Sequence, residues 1–277
     1  GCTGSSIFHF IKKKSFTGSY TIVKNYCHQH RQQETQKATI RFETNPGLQA
    51  QVDWKESVTM RAKSGQLIEI NVFLMILGYS RMKYIQLTLD KSQDTLIECM
   101  INGFKYFQGI PKEIIFDNMR TVVNQSRTNY QDAVINEAFY QFSKDMGFEV
   151  WTCRAYRPQT KGKVEALAKL MSRLDPYNDE FDTVEQLADI VRAMNNDLNR
   201  EVSQATEEIP FNRWAKEKEY LLQLPNRDLL DGYLTRPITR TVSKESMVTY
   251  KYNKYSLNPK YIGKTVTLEV KGSQLTI

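Results

Sequence analysis

The spacing of apolar and polar residues predicts a sheet in the centre of the chain. Residues 48–54 and 83–89 alternate between apolar and polar positions, whereas residues 67–77 become wholly apolar. Alternation is typical of a strand with one buried face, and an apolar run is typical of a strand buried on both faces. The connections between these segments are short and contain glycine, which favours antiparallel neighbours. The pattern therefore predicts an antiparallel meander whose second strand is central.

Helices and strands alternate in the next stretch. Ser92 is the predicted N-cap of a helix, and residues 112–118 and 149–153 read as two further short strands. The apolar faces of the three predicted helices comprise Leu96, Met100, Phe104 and Phe107; Ile135, Phe139, Phe142 and Met146; and Val164, Leu167, Met171 and Leu174. The order βββαβαβα predicts a five-stranded mixed sheet with helices on both faces, which is an α/β fold.

The segment before this sheet is basic and partly helical. A helix is predicted just after Gly18, with Ser19 as its N-cap and an apolar stripe of Ile22, Val23 and Tyr26. Together with the lysines before it, this helix has the form of a partial helix-turn-helix, and any short basic amphipathic helix looks similar. The candidate DNA-binding residues of the segment are Lys12, Lys13, Lys14, Ser19, Tyr20 and Lys24.

Two kinds of module follow the sheet. A helix is predicted over residues 181–202, with Thr183 and Gln186 as a capping box, and residues 205–224 form a further helical segment. Short alternating strands at residues 247–252, 254–257 and 265–270 then predict a small β-barrel-like module.

These patterns divide the chain into five parts. We expect a helical DNA-binding segment at residues 1–31, a linker at 32–47, the α/β domain at 48–178, a helical extension at 179–236 and the β module at 237–277. The β module stops in mid-pattern, so we expect it to be truncated. No apolar run reaches the roughly 18 residues of a membrane span. The beginning of the chain has no signal-peptide pattern, and its four cysteines form no CxxC, which fits a reducing cytoplasm.

The net charge of +7 is unevenly distributed. Residues 1–47 carry 7 Lys or Arg and 2 acidic residues, and residues 236–277 carry 8 and 2, whereas the centre carries 23 and 27. Basic flanks suit a polyanion such as DNA, and a slightly acidic centre suits carboxylates around metal ions. An ordinary fluctuation in surface charge is the alternative.

Three carboxylates are candidates for catalysis. Asp53 lies on the first strand, Asp117 ends the fourth, and Glu165 lies on the helix after the fifth, so all three are expected to meet at one edge of the sheet. Three acidic groups held together repel one another unless cations neutralise them, and two Mg²⁺ ions about 4 Å apart would do so. Every histidine lies at or before His30, which argues against histidine-dependent hydrolysis in the core.

Each candidate also has a structural interpretation. Asp53 could be an ordinary exposed strand residue, and Asp117 with Asn118 is a common turn-forming pair. Glu165 could belong to a surface helix with i,i+4 ion pairs. Near these acids, Lys161 and Lys163 are candidates for phosphate contacts, with Asn118 and Arg157 as weaker ones, and surface ion pairs are the alternative for all of them.

The sequence resembles a known family at these positions. The matching motifs are Gln51-Val52-Asp53-Trp54, Ile115-Phe116-Asp117-Asn118 and the run from Arg157 to Glu165, Arg-Pro-Gln-Thr-Lys-Gly-Lys-Val-Glu. They are similar to the DDE motif of transposases and retroviral integrases with an RNase H-like core. With its flanking modules, the chain most resembles IstA-type insertion-sequence transposases of bacteria, which work with a AAA+ helper ATPase. The family has fuller N-terminal DNA-binding domains than this chain shows.

The resemblance implies a specific function. Asp53, Asp117 and Glu165 would be the catalytic metal ligands for Mg²⁺, with Mn²⁺ as a substitute, in 3′-end cleavage and strand transfer of a mobile element. The alternatives are a catalytically silent, transposase-like DNA-binding protein and an RNase H-like nuclease without joining activity. Because transposition acts on two ends of double-stranded DNA, we expect at least a homodimer on DNA. We expect no membrane association and a cytoplasmic location in bacteria, at the nucleoid when the protein is bound to DNA.

Overall fold

The structure is a computed structural model. It describes residues 8, 11–12, 14–30, 44–125, 133–152, 162–234, 238–250, 253–271 and 274–277. The chain divides into two compact units, residues 1–42 and residues 43–277. Within the described ranges, no helix is long and apolar enough to cross a membrane.

The N-terminal unit contains helix α1 (Tyr20–His30), which begins directly after Ser19 as predicted. The ring of Phe8 meets the ring of Tyr20 edge to face, with centroids 5.5 Å apart. Val23 lies three residues after Tyr20 on the same side of the helix and is buried, whereas Ile22 and Tyr26 are exposed. Of the three positions of the predicted apolar stripe, Val23 is therefore buried, and the prediction was wrong for Ile22 and Tyr26.

The second unit carries the remaining elements. Its strands are β1 (Gln49–Arg61), β2 (Leu67–Leu77), β3 (Lys83–Thr88), β4 (Glu113–Phe116), β5 (Val123–Gln125), β6 (Val134–Ile135), β7 (Glu149–Thr152), β8 (Ile238–Thr241), β9 (Met247–Tyr250), β10 (Asn253–Ser256), β11 (Thr265–Lys271) and β12 (Gln274–Thr276). Its α-helices are α2 (Gln93–Phe107), α3 (Glu137–Met146), α4 (Gly162–Lys169), α5 (Val184–Arg200), α6 (Pro210–Glu217) and α7 (Arg227–Leu234), and 3₁₀-helices span Leu170–Tyr177, Lys218–Tyr220 and Pro259–Tyr261.

The large sheet has the strand order β3-β2-β1-β4-β7. Strands β1, β2 and β3 are antiparallel neighbours, while β4 is parallel to β1 and β7 is parallel to β4. This arrangement confirms the predicted five-stranded mixed sheet and has the order of an RNase H-like core. Strand β1 continues to Arg61, beyond the predicted end at Trp54, because a register irregularity between Lys55 and Val58 absorbs the break in the alternating pattern.

Hydrophobic cores cover both faces of the sheet. On one face, Val52, Trp54 and Phe73 pack with side chains of α2 and α3. On the other face, Val72 and Leu74 pack with side chains of α4 and α5. Adjacent strand residues therefore enter different cores, as the twofold period of a strand requires. Complete burial of each large apolar side chain contributes about 1.5–3 kcal/mol, so the two cores fix the helices that lie over the sheet.

Two predicted helices differ from the structure. Ile135 lies in β6, which pairs with β5 in a small hairpin that was not predicted, and α3 begins only at Glu137. Asn136 ends the strand because its side chain accepts hydrogen bonds from the first turn of α3. The predicted helix through Leu174 is α-helical only as α4 and continues as the 3₁₀-helix Leu170–Tyr177. Pro176 in that segment has no N–H to extend an α-helix.

The helical extension and the C-terminal strands agree with several sequence predictions. Thr183 caps α5 by accepting from the Gln186 N–H at 3.3 Å, while the Gln186 side chain accepts from the Asp182 N–H at 2.7 Å. The C-terminal strands form a three-stranded sheet of order β12-β11-β8 and a β10–β9 pair around a small core of Val242, Val248 and Leu268.

Candidate active site

The register of two parallel strands places Asp53 and Asp117 side by side. Val52 of β1 lies opposite Phe116, the last residue of β4, and each of them is followed by an aspartate, Asp53 within β1 and Asp117 directly after β4. Asp53 pairs across the sheet with Leu74, and directly opposite residues of antiparallel strands share a face. Leu74 belongs to the core beneath α4. By the alternation along both strands, the two aspartates belong to the α4 side of the sheet, where Asp53 is half-buried and Asp117 is exposed.

Helix α4 carries Glu165 over the same face. Val164 and Leu167 are buried in the core that contains Leu74. The N–H of Val164 donates to Gln51 Oε1 at 3.1 Å, and Gln51 lies two residues before Asp53 on β1. Glu165 is therefore one residue beyond a direct contact with the strand of Asp53, and it is exposed.

The chain after α4 runs alongside β1. The N–H of Asp179 donates to the carbonyl of Arg61 at 2.8 Å, at the far end of the strand. Val164 contacts β1 near its start and Asp179 contacts it at its end, so the chain from Val164 to Asp179 runs in the same direction as β1.

The structure brings together part of the predicted cluster. The two aspartates are neighbours and Glu165 lies on the helix above their face, but among the described residues no three His, Cys, Asp or Glu side chains form a group that could hold a metal ion. Three like charges repel at short range, so a cluster of all three carboxylates requires cations to form. The donor set fits Mg²⁺, because carboxylate oxygens are hard ligands of the kind this ion prefers.

A tight turn follows Asp117. Its Oδ1 accepts from the Asn118 N–H at 2.9 Å, and its carbonyl accepts from the Met119 N–H at 2.6 Å. Asp117 and Asn118 therefore form a turn, as the structural interpretation of this pair predicted. The Asp117 carboxylate lies directly after the end of β4. Asn118 Oδ1 is buried, and it has no hydrogen-bond partner among the residues that the structure describes.

The basic candidates have different environments. Lys163 Nζ donates to the carbonyl of Gly78 at 3.0 Å and to Thr44 Oγ1 at 3.1 Å, so its ammonium is directed to the turn after β2. The predicted sites Lys13, Arg157 and Lys161 lie outside the described residues. In the N-terminal unit the described candidates are exposed, namely Lys12, Lys14, Ser19, Tyr20 and Lys24, and the ammonium of Lys12 lies 5.4 Å from the centre of the Phe8 ring.

Sequence reasoning missed two buried polar residues, of which Gln51 contacts the helix of Glu165 and Glu217 binds the backbone of two loops. Gln51 is 3% exposed and binds the first turn of α4, and Glu217 is fully buried. The carboxylate of Glu217 accepts from the N–H groups of Gly47 at 3.2 Å and Ser80 at 2.8 Å. Neither has a clear sequence signal, because Gln51 occupies a polar position of an alternating strand and Glu217 lies in a Lys-Glu-Lys-Glu run that is typical of a solvated helix.

Residues 230–277 match the family model described as the C-terminal domain of Mu transposase. The chain is 41% identical over 238 residues to the transposase for insertion sequence element IS232 of Bacillus thuringiensis subsp. berliner, covering 86% of this chain and 55% of that protein. It is 30% identical over 273 residues to the transposase for insertion sequence element IS21 of Pseudomonas aeruginosa, covering 95% of this chain and 66% of that protein. The chain thus spans less than two thirds of the length of either relative.

One similar solved structure is the catalytic core domain of BIV integrase. The sequence identity is 14%, the TM-score is 0.44, and the match covers 62% of this chain and 97% of that one.

Proposed function

We propose, for a chain that belongs to the family of IS21-type insertion-sequence transposases, that the protein is a DNA transposase that cleaves 3′ ends and transfers the strands by a DDE mechanism. The observation that carries this proposal is the parallel register of β1 and β4. It sets Asp53 beside Asp117 at the end of β4, and the contact of Gln51 with α4 puts Glu165 over the same face. Strand β1, the end of β4 and helix α4 thus carry the three carboxylates.

Asp53, Asp117 and Glu165 would hold two Mg²⁺ ions, with Mn²⁺ as a substitute. When bound there, the ions would supply activation of the attacking oxygen and stabilisation of the leaving oxygen of a phosphodiester. Asp53 would provide a ligand from β1 and Asp117 one from the turn directly after β4, and Glu165 would complete the set from the first turn of its helix. Asn118 borders Asp117 and, with Arg157 and Lys161, is a candidate for contacts with the DNA backbone.

The proposed partners follow from the reaction. Double-stranded DNA supplies the element ends and the target, and the basic segment with Lys12, Lys14 and Lys24 would bind its phosphates. Because two ends are joined, the protein would act as at least a dimer on DNA. The family resemblance adds a AAA+ helper ATPase and a cytoplasmic, nucleoid-associated location. The division at residues 31, 47, 178 and 236 remains our proposed domain arrangement.

The proposal is tested with the full-length protein, Mg²⁺ and labelled duplexes copied from the ends of the element that encodes it. Joined products are expected from the parent protein. Glu165→Gln is expected to reduce joining by more than about a hundredfold, since it removes a metal ligand from the reacting centre. Glu180→Gln is the matched control, because Glu180 is an exposed residue outside the site and its replacement is expected to leave joining unchanged.

The same assay separates the alternatives. Cleavage without joining would identify a nuclease, and retention of the duplex without cleavage would identify a catalytically silent DNA-binding protein. Joining by Glu165→Gln at the parent rate would remove Glu165 from the proposed site.

A further inference from the structure

Lys163 is tied to the start of β1 through a small hydrogen-bonded cluster. Its ammonium donates to the carbonyl of Gly78, which also accepts from the guanidinium of Arg81. The N–H of Gly78 in turn donates to the carbonyl of Gln49 at 2.6 Å. Since Gln49 is the first residue of β1, Lys163 is fixed relative to the strand that carries Asp53.

The packing at Gly78 leaves little freedom in this cluster. A Cβ atom at this position would lie 2.5 Å from Thr44 Oγ1 and 2.7 Å from the carbonyl oxygen of Gln49. Both distances are too short for non-bonded contact, so only glycine allows the three segments to approach this closely. Thr44 is also the second acceptor of the Lys163 ammonium, at 3.1 Å. Lys163 therefore binds a backbone carbonyl and a threonine hydroxyl that close packing at Gly78 holds in place.

The residue after Lys163 makes an independent contact with the same strand. The N–H of Val164 belongs to the first turn of α4, where backbone donors have no partner within the helix. It donates to the buried side chain of Gln51. Two adjacent residues thus hold the beginning of α4 at two points that are both connected to β1, and the residue that follows them is Glu165.

We propose that Lys163 is a positioning residue, which holds the first turn of α4 so that the Glu165 carboxylate is presented to Asp53 and Asp117. This role rests on the proposed function, in which the three carboxylates bind metal ions. The sequence suggested that the Lys163 ammonium contacts a DNA phosphate. We assign it the positioning role instead, because two of its donors are directed to Gly78 and Thr44. Replacement of a residue that orients a metal ligand typically weakens metal binding by about 10–100-fold.

The test measures Mn²⁺ binding to the full-length protein without DNA, by electron paramagnetic resonance of the free ion. Lys163→Met is expected to weaken Mn²⁺ binding by about tenfold or more. Lys163→Arg is expected to retain most of the affinity, because a guanidinium can donate to the same two acceptors. The charge-matched control is Lys105→Met, since Lys105 is exposed on α2, on the other face of the sheet, and its replacement is expected to have no effect.

Gln51→Leu and Thr44→Val extend the test. Gln51→Leu removes the second contact and is expected to weaken Mn²⁺ binding as well, while Thr44→Val removes one of the two acceptors and is expected to have a smaller effect. Thermal unfolding checks that each variant is folded. If Lys163→Met does not fold, the affinities of Thr44→Val and Gln51→Leu decide, and parent affinity in both would overturn the positioning role.

DNA binding distinguishes the two possible roles of Lys163. Parent Mn²⁺ affinity in Lys163→Met, together with weaker DNA binding and a smaller salt dependence, would identify a phosphate contact and overturn the proposal. Asp53→Asn separates this outcome from a failure of the proposed function. If Asp53→Asn binds Mn²⁺ as the parent does, the metal site itself is wrong; if only Lys163→Met does so, the positioning role alone is wrong.

Discussion

Asn199 of α5 closes the edge of the sheet by binding both backbone polar groups of Lys83. Its Oδ1 accepts from the Lys83 N–H at 2.8 Å, and its Nδ2 donates to the Lys83 carbonyl at 2.7 Å. One helical turn earlier, Asn195 Oδ1 accepts from the Ile85 N–H at 3.1 Å. The outer side of β3 thus obtains hydrogen bonds that another strand would otherwise provide, which protects an edge that could pair with a second chain.

Removal of this amide should destabilise the fold. Asn199→Ala leaves the buried N–H and carbonyl of Lys83 without these partners, so we expect a loss of about 1–3 kcal/mol in the free energy of unfolding. Amide exchange at Lys83 should also accelerate. Asn196→Ala is the matched control, because Asn196 is the exposed amide on the same helix. Equal unfolding midpoints in urea for the two variants would contradict the role of Asn199.

Lys83 should make stability depend on pH. Burial lowers the pKa of its ammonium to about 8 from the ordinary 10.5; Glu201 acts in the opposite direction, and Arg81 and Arg173 lower the pKa further. Between these pH values the unfolded chain binds the proton and the folded chain does not. Stability contributed by this group should therefore rise with pH across that window, by at most about 1.4 kcal/mol per pH unit.

Lys83→Met provides the comparison for this pH dependence. Methionine cannot titrate, so the stability difference between parent and variant should change between pH 8 and pH 10 in favour of the parent. Urea unfolding at pH 7.5 and 9.5 measures both proteins. Parallel pH profiles would show that Lys83 keeps its ordinary pKa in the folded state.

The buried carboxylate of Glu217 should be sensitive to an isosteric change. In Glu217→Gln one acceptor oxygen becomes an NH₂ group, which would face the N–H of either Gly47 or Ser80. Two donors in contact leave a buried N–H without a partner, so we expect a loss of about 1–3 kcal/mol in unfolding free energy. Glu219→Gln, at an exposed position two residues further on, should change the denaturation midpoint little.

The basic N-terminal segment should control the salt dependence of DNA binding. Lys14 and Lys24 are exposed, and replacing both with alanine removes two candidate phosphate contacts. The slope of log affinity against log salt concentration should fall by about one unit per lysine. Binding to a duplex at several salt concentrations measures the slope. Lys105→Ala should keep the parent slope, and an unchanged slope in the double variant would exclude phosphate contacts by these lysines.

Local pattern was sufficient for much of the fold. The apolar run of β2 and the N-caps Ser92 and Thr183 depend on neighbouring residues, and all three appear where they were predicted. The helix that Thr183 caps begins at Val184 and not at residue 181, and the strand of Asp53 continues beyond its predicted end. Local pattern failed where a longer-range contact decided the outcome. Ile135 follows a helical period with Phe139, yet it pairs with Val123 in a hairpin, because strand pairing there prevails over a weak helical preference.

The sequence by itself determined the identity of the three candidate carboxylates and the strand order that brings two of them together. Parallel pairing of β1 and β4 then follows from the alternation of strands and helices. Only the tertiary structure revealed the contacts that hold the first turn of α4, the helix of Glu165. Its anchors, Gln51 and the pair of Gly78 with Thr44, come from segments far from α4 in sequence. Such contacts depend on distances between folded segments, and no local period of apolar and polar residues encodes them.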